Sequence, residues 1–153
     1  MKIKAFLDTN IFLDLILENR PSTPASNVIF QSVFNGGIEA VITTQSILDA
    51  CFVHGTDCHA NIESFFKNVV LIMDYVNMDH ISEFDLRWAA KNYSGDFEDD
   101  AQVARALDTC CDVFVTNDKK LRNRYNGKHE HLRFMSPEEI VSKMRGEATP
   151  SHI

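Results

Sequence analysis

Two short, mainly apolar runs, each leading into an acid, constrain this chain more than any other feature. Ile3 to Leu7 runs into Asp8, and Val113-Phe114-Val115 leads through Thr116 and Asn117 into Asp118. A strand with one wet face alternates apolar and polar residues, whereas a strand apolar throughout is covered on both sides. Ala40-Val41-Ile42, Val69 to Met73 and Leu132-Arg133-Phe134 predict three further strands. Between these runs, apolar residues fall at helical spacing: Ile11 to about Asn19, Ser26 to Phe34, Ser46 to Val53, Asn61 to Lys67, Asp79 to about Asn92, Phe97 to Leu107, and Ser136 to Arg145. Gly36-Gly37 stops the second helix, Asp79 can cap the fifth, and Ser136-Pro137-Glu138-Glu139 is a strong helix start. Strands alternating with helices indicate a parallel sheet with helices on both faces. The 153 residues suit one domain with one core. We expect that domain to span residues 1–145, with 146–153 as a frayed tail.

Open parallel sheets bind ligands beyond the carboxyl ends of their strands. Asp8 and Asp118 each fall at such an end. Asp8 could cap the following helix, but Thr9 and Asn10 could do so equally, which favours a ligand role for Asp8. Asp118 reads as a ligand or as a turn acid, with Thr116 placed to hydrogen-bond a carboxylate or a water. Asp49 lies in mid-helix among Ile47, Leu48, Phe52 and Val53, and reads equally as a site acid or an exposed one. Asp96-Phe97-Glu98-Asp99-Asp100 puts four acids at a helix start, where the macrodipole favours them. One or two would suffice for that. Asp96 and Asp99, three apart, can share a face, and Asp100 is expected to point to solvent. Clustered carboxylates repel one another unless a positive group sits among them, and oxygen-only ligands select Mg²⁺ or Mn²⁺ over zinc.

The net charge is −7, against a requirement for positive charge in most nucleic-acid binders. Five of those seven charges are matched by Asp8, Asp49, Asp96, Asp99 and Asp118. Lys119, Lys120, Arg122, Arg124 and Lys128 follow Asp118 as a basic run, either a solvated helix face or a guide for a phosphate backbone. The four cysteines lack the spacing of a disulfide framework, so reduced thiols are expected. A zinc site from Cys51, His54, Cys58 and His59 fits no standard module, and core and surface roles fit these residues better. No apolar run is long enough to span a bilayer, and the N-terminal one is short and broken by an acid. We therefore expect a cytoplasmic protein.

The order of motifs resembles the PIN domain family over roughly residues 1–141. Asp8-Thr9-Asn10 resembles the family's opening strand-end motif. Asp49 stands where many members carry a helical Glu. Asp96-Phe97-Glu98-Asp99, with Ala101, Ala104 and Ala106, resembles the acidic helix start of a bacterial, VapC-like branch. Val115-Thr116-Asn117-Asp118 resembles the closing motif. The resemblance implies a three-layer α/β/α sandwich with a central parallel sheet. It implies a Mg²⁺- or Mn²⁺-dependent endoribonuclease, often a toxin with an antitoxin partner, and often a homodimer. Asp8, Asp49, Asp99 and Asp118 would form the acidic quartet and Asp96 an auxiliary acid. Asp8, Asp99 and Asp118 would hold the metal, with Asn10, Thr116, Lys119 and Lys120 in support. One alternative is an inactive PIN fold that only binds a partner. Another is a receiver-like signalling domain. Receivers carry paired acids at the first strand end and a Lys at the last, whereas Thr9 follows Asp8 here and no such Lys stands near Leu132 to Phe134.

Overall fold

A computed structural model describes residues 2–17, 19–55 and 61–146. The elements run β1 (Ile3–Leu7), α1 (Thr9–Leu17), α2 (Thr23–Phe34), β2 (Ile38–Thr43), α3 (Thr44–Gly55), α4 (Ile62–Tyr75) and β3 (Asn77–Asp79). They continue with α5 (Glu83–Lys91), α6 (Phe97–Asp108), β4 (Val113–Val115), α7 (Lys119–Tyr125), β5 (Arg133–Met135) and α8 (Pro137–Met144). The five strands form one all-parallel sheet in the order β3-β2-β1-β4-β5. The first strand is thus the central one.

Its residues feed two cores. Ala5 and Leu7 face one side, with Ile11, Phe12, Ile29, Val33, Phe65, Val69, Val113, Val115 and Ile140 from α1, α2, α4, β4 and α8. Phe6 faces the other, with Val103, Ala106, Leu121 and Tyr125 from α6 and α7. Burial on both faces is why β1, apart from Lys4 at its half-buried start, is apolar. On the second face Phe6, Phe114 and Phe134 stand in register on three neighbouring strands. Their rings stack at 5.0 and 5.2 Å between centroids, and Tyr125 continues the stack at 5.1 Å from Phe134. Among the described residues no helix is long and apolar enough to cross a membrane.

Three expectations need correction. Val69 to Met73 is not a strand: it lies inside α4, which buries Phe65, Val69 and Ile72 and leaves Val70, Leu71 and Tyr75 exposed. A continuous apolar run does not distinguish strand from helix, and here it supplies a buried stripe at spacings of four and three. The third strand is instead the polar segment Asn77-Met78-Asp79, which sits at the sheet edge with only β2 beside it. Asp79 ends that strand and does not cap α5. Ser82 does so, forming a capping box with Asp85. Asp100, expected at the surface, is fully buried. Its carboxylate accepts hydrogen bonds from the Ser94 amide and hydroxyl and from the Tyr125 hydroxyl. Cys58, His59 and the expected tail beyond residue 146 lie outside the described residues. Cys51, Cys110 and Cys111 are free thiols.

The aromatic stack yields a test of the core. Phe114→Ala removes the middle ring and should lower stability by about 3–5 kcal/mol in urea unfolding.

Candidate active site

Parallel pairing sets the ends of β1 and β4 level, with Leu7 opposite Val115. The Asp8 amide then donates to the Val115 carbonyl at 3.1 Å, which fixes Asp8 one step past the ladder. Its side chain is only 4% exposed. Oδ1 accepts from the Thr9 amide at 2.7 Å, and Oδ2 from the Thr116 hydroxyl at 2.7 Å. The same hydroxyl oxygen accepts from the Asp118 amide at 3.0 Å. One buried hydroxyl therefore joins the two strand-end acids.

The other acids come from helix starts and one helix interior. Asp118 caps α7, accepting from the amides of Lys120 and Leu121 at 2.9 and 3.3 Å. Asp96 caps α6, accepting from the Asp99 amide at 3.0 Å. Asp99 lies in the first turn of α6 and accepts from Arg124 Nη2 at 3.0 Å. Asp49 lies on α3 and accepts from Gln45 Nε2 at 2.9 Å. A relay of hydroxyls aligns that helix: Thr9 Oγ1 donates to Ser46 Oγ at 2.7 Å, and Thr43 Oγ1 donates to the same oxygen at 3.1 Å.

Asp8, Asp49, Asp96, Asp99 and Asp118 border a single cavity of about 470 Å³, together with Asn10 and Glu98. Gln102 borders it too, and its Oε1 is buried without a hydrogen-bond partner. Burial drives Asp8 up to a pKa of about 6, against the Thr116 hydrogen bond, with Asp99 and Asp118 adding to the rise. Burial and then Asp96 push Asp99 up, while Arg124 pulls it down. Glu98 is raised by burial and by the neighbouring Asp49 carboxylate.

Lys119 and Lys120 are exposed on the first turn of α7 and do not border the cavity. The basic run is not one solvated face. Arg122 turns inward to donate to the Thr116 carbonyl at 2.8 Å, and Arg124 turns inward to Asp99.

Four participants escaped the sequence reading. Glu98 stood only as one of the four acids at a helix start, and Gln102 had no signal beyond its spacing of three from Asp99. Arg124 had none, because its partners lie 25 and 30 residues away. Asp14 had one: it is the single acid in the apolar stretch Ile11 to Leu17. It is fully buried and accepts from Arg20 Nε at 2.8 Å, Ser26 Oγ at 2.7 Å and Asn117 Nδ2 at 2.9 Å. It thereby ties α1 and α2 to the turn that carries Asp118.

The donor set bordering the cavity is all oxygen, which suits a hard divalent cation. Asp99 and Asp118 lie near enough to raise Asp8, and Asp118 near enough to raise Asp99. Among the described residues, no three acidic, histidine or cysteine side chains are already drawn together as a metal-holding group. Asp99 engages Arg124 instead, and Asp118 engages the start of α7. The residues fit the ion in chemistry and neighbourhood.

A search of curated proteins gives no match. Solved structures similar in fold include the following three. The sarcin–ricin-loop-cleaving toxin VapC20 of Mycobacterium tuberculosis superposes with a TM-score of 0.61 at 10% identity, over 76% of this chain and 92% of that one. A toxin–antitoxin complex from Klebsiella pneumoniae gives 0.61 at 15%, over 87% and 97%. VapBC2 from Rickettsia felis, bound to a DNA fragment from its promoter, gives 0.61 at 13%, over 88% and 98%. At these identities the likeness concerns the fold. The PIN domain family itself matches residues 4–120, well over half of the sequence. This chain belongs to the PIN domain family.

Proposed function

We propose that this PIN domain is a Mg²⁺- or Mn²⁺-dependent endoribonuclease, acting as the toxin of a toxin–antitoxin pair in the cytoplasm. The observation that carries the reading is the gathering of Asp8, Asp99 and Asp118 on one cavity, with Asp8 raised to about 6 by burial and by the other two. A site that raises its own carboxylates in this way gains most from a bound cation. The toxin and antitoxin roles draw support from the solved structures that share the fold. Exposed apolar side chains such as Leu48 on α3 and Phe84 on α5 support a protein partner, an antitoxin or a second copy in a homodimer. Family membership leaves the receiver-like alternative without support.

Asp8, Asp99 and Asp118 would hold the ion, which supplies positive charge to the phosphate and makes nearby water more acidic. Thr116 holds the Asp8 carboxylate with its charged oxygens toward the cavity. Asp49, Asp96 and Glu98 border the remainder of the cleft, where they can orient water and accept its proton. Water adds in line to phosphorus, the P–O3′ bond breaks, and the products carry a 5′-phosphate and a 3′-hydroxyl. Lys119 and Lys120 sit next to Asp118 along the chain and offer positive charge to the incoming strand. Single-stranded RNA suits such a cleft better than a duplex, since its bases and backbone can follow an irregular surface.

Cleavage of single-stranded RNA should require Mg²⁺ or Mn²⁺ and stop with EDTA. Asp8→Asn and Asp99→Asn should each reduce it to background while the far-ultraviolet circular dichroism stays unchanged. A fully active Asp99→Asn enzyme would refute the assignment.

The raised Asp8 gives a pH test with a definite sign. A carboxyl whose folded pKa lies above its unfolded one contributes stability below the unfolded value, and that stability is lost as pH climbs through the folded one. The metal-free protein should therefore lose up to about 3 kcal/mol between about pH 4 and pH 6 through this group. Asp8→Asn should remove that part of the slope, read as the difference between the two urea-midpoint profiles in EDTA. Cleavage at limiting metal should fall below about pH 6, and saturating metal should move that inflection lower because proton and cation compete.

Thr116→Val keeps the shape but removes the hydroxyl between Asp8 and Asp118. Its metal affinity or activity should drop about 10–100-fold, as for other residues that orient metal ligands. A Mg²⁺ titration of cleavage rate reads this directly.

A further inference from the structure

Across Arg124 from the carboxylates lies a second cavity of about 440 Å³, lined by Trp88, Lys91, Tyr93, Ser94, Lys128 and His129 among others. We propose that it is a nucleotide subsite, holding one base and its phosphate of the single-stranded RNA beside the cleavage point. The inference rests on the ribonuclease reading above and adds where the strand is gripped.

Three observations carry it. The first is charge. The chain is strongly acidic, with a net charge of −7, yet among the described residues no carboxylate lines this cavity while two lysines do, Asp100 being buried behind Ser94 and Tyr125. Both lysines are exposed, so their ammonium groups are available to phosphate. The second is aromatic surface. Tyr93 is 64% exposed, so its ring is open to a base. The His129 ring lies 6.1 Å from Trp88 and 6.0 Å from Tyr125, and Lys128 sits 5.7 Å above the Tyr125 ring. Burial and then Lys128 push the His129 pKa below its usual value, so it presents a neutral ring. Aromatic faces interleaved with cations are the platform on which single strands bind, bases stacking and phosphates pairing.

The third observation is continuity. Ser94 lines the cavity and its Oγ accepts from Arg124 Nε at 3.2 Å. The same guanidinium donates from Nη2 to Asp99 at 3.0 Å in the acidic cleft. The Arg124 side chain reaches from one cavity's edge to the other, so one strand can run past it through both. The arrangement also answers how an acidic protein keeps hold of a polyanion. Cleavage and grip are divided between adjoining cavities of opposite charge.

The test uses the full chain carrying Asp8→Asn, so that bound RNA survives. Binding of fluorescein-labelled oligoadenylate is followed by anisotropy over a range of salt. Tyr93→Ala should weaken binding about tenfold, and Tyr93→Phe should restore it, since stacking needs the ring and not the hydroxyl. Lys91→Ala with Lys128→Ala should weaken binding and make the log K against log salt slope shallower by about 0.7, for the one phosphate neutralised on a single strand. Melting temperatures close to the parent's confirm that these surface changes leave the fold alone. Variants that bind with the parent's affinity and salt slope would overturn the subsite. In that case EDTA-sensitive cleavage by the unsubstituted protein would still uphold the ribonuclease reading. AMP competing as well as unlabelled oligoadenylate would also overturn it, in favour of a mononucleotide site. If the unsubstituted protein cleaves no RNA and the Asp8→Asn protein binds none, both readings fail together.

Discussion

Repulsion among carboxylates that the sheet forces together organises this molecule. Asp8 has no freedom to withdraw. Its backbone is held by the Val115 carbonyl, its side chain by Thr9 and Thr116, and its strand is buried on both faces. Asp99 and Asp118 are brought toward it by the starts of α6 and α7. What makes the arrangement tolerable is a set of donors aimed at each carboxylate: backbone amides, one threonine hydroxyl and one guanidinium. Arg124 stands out, because it is a cation supplied by the chain itself. It keeps the acidic region from being an open electrostatic fault.

The same logic explains why some of this was legible in the sequence. Strands β1, β2 and β4 announce themselves by apolar runs, because burial on two faces leaves little room for alternation, and β5 by Leu132 and Phe134 alone, since Arg133 is exposed at the other sheet edge. Strand β3 does not, because an edge strand of three residues can be polar. The run Val69 to Met73 misled for the converse reason: a helix packed on one side can be apolar well beyond its buried stripe. Asp8 and Asp118 could be read as neighbours from strand-end position alone. Asp49 could not, since nothing local says which way a helix interior faces, and only the packing of α3 against α1 turns it to the cavity. Asp100 went wrong because four acids within five residues of a helix start look alike until Tyr125 and Ser94 select one of them for the interior.

Partners distant in sequence are the common element in what was missed. Asp14 meets Asn117 across 103 residues, and Arg124 meets Asp99 across 25. Asp14 accepts three side-chain hydrogen bonds, from Arg20, Ser26 and Asn117, which is how a buried charge is made affordable. Its effect at the cavity is indirect. It steadies the turn in which Asn117 precedes Asp118, so a helix packed beneath the sheet helps fix an acid at its end.

The central position of the first strand has a kinetic consequence. Asp8 and Thr116 are 108 residues apart, and β1 pairs with β4 over a comparable span. Contacts of such high order form late, after most of the intervening polypeptide has condensed. During synthesis β1 and β2 can pair early, but one flank of β1 stays open until β4 has emerged and docked. The acidic cavity therefore has no partial form. A chain interrupted anywhere before β4 lacks half of its walls, and maturation of the cavity is tied to completion of the fold.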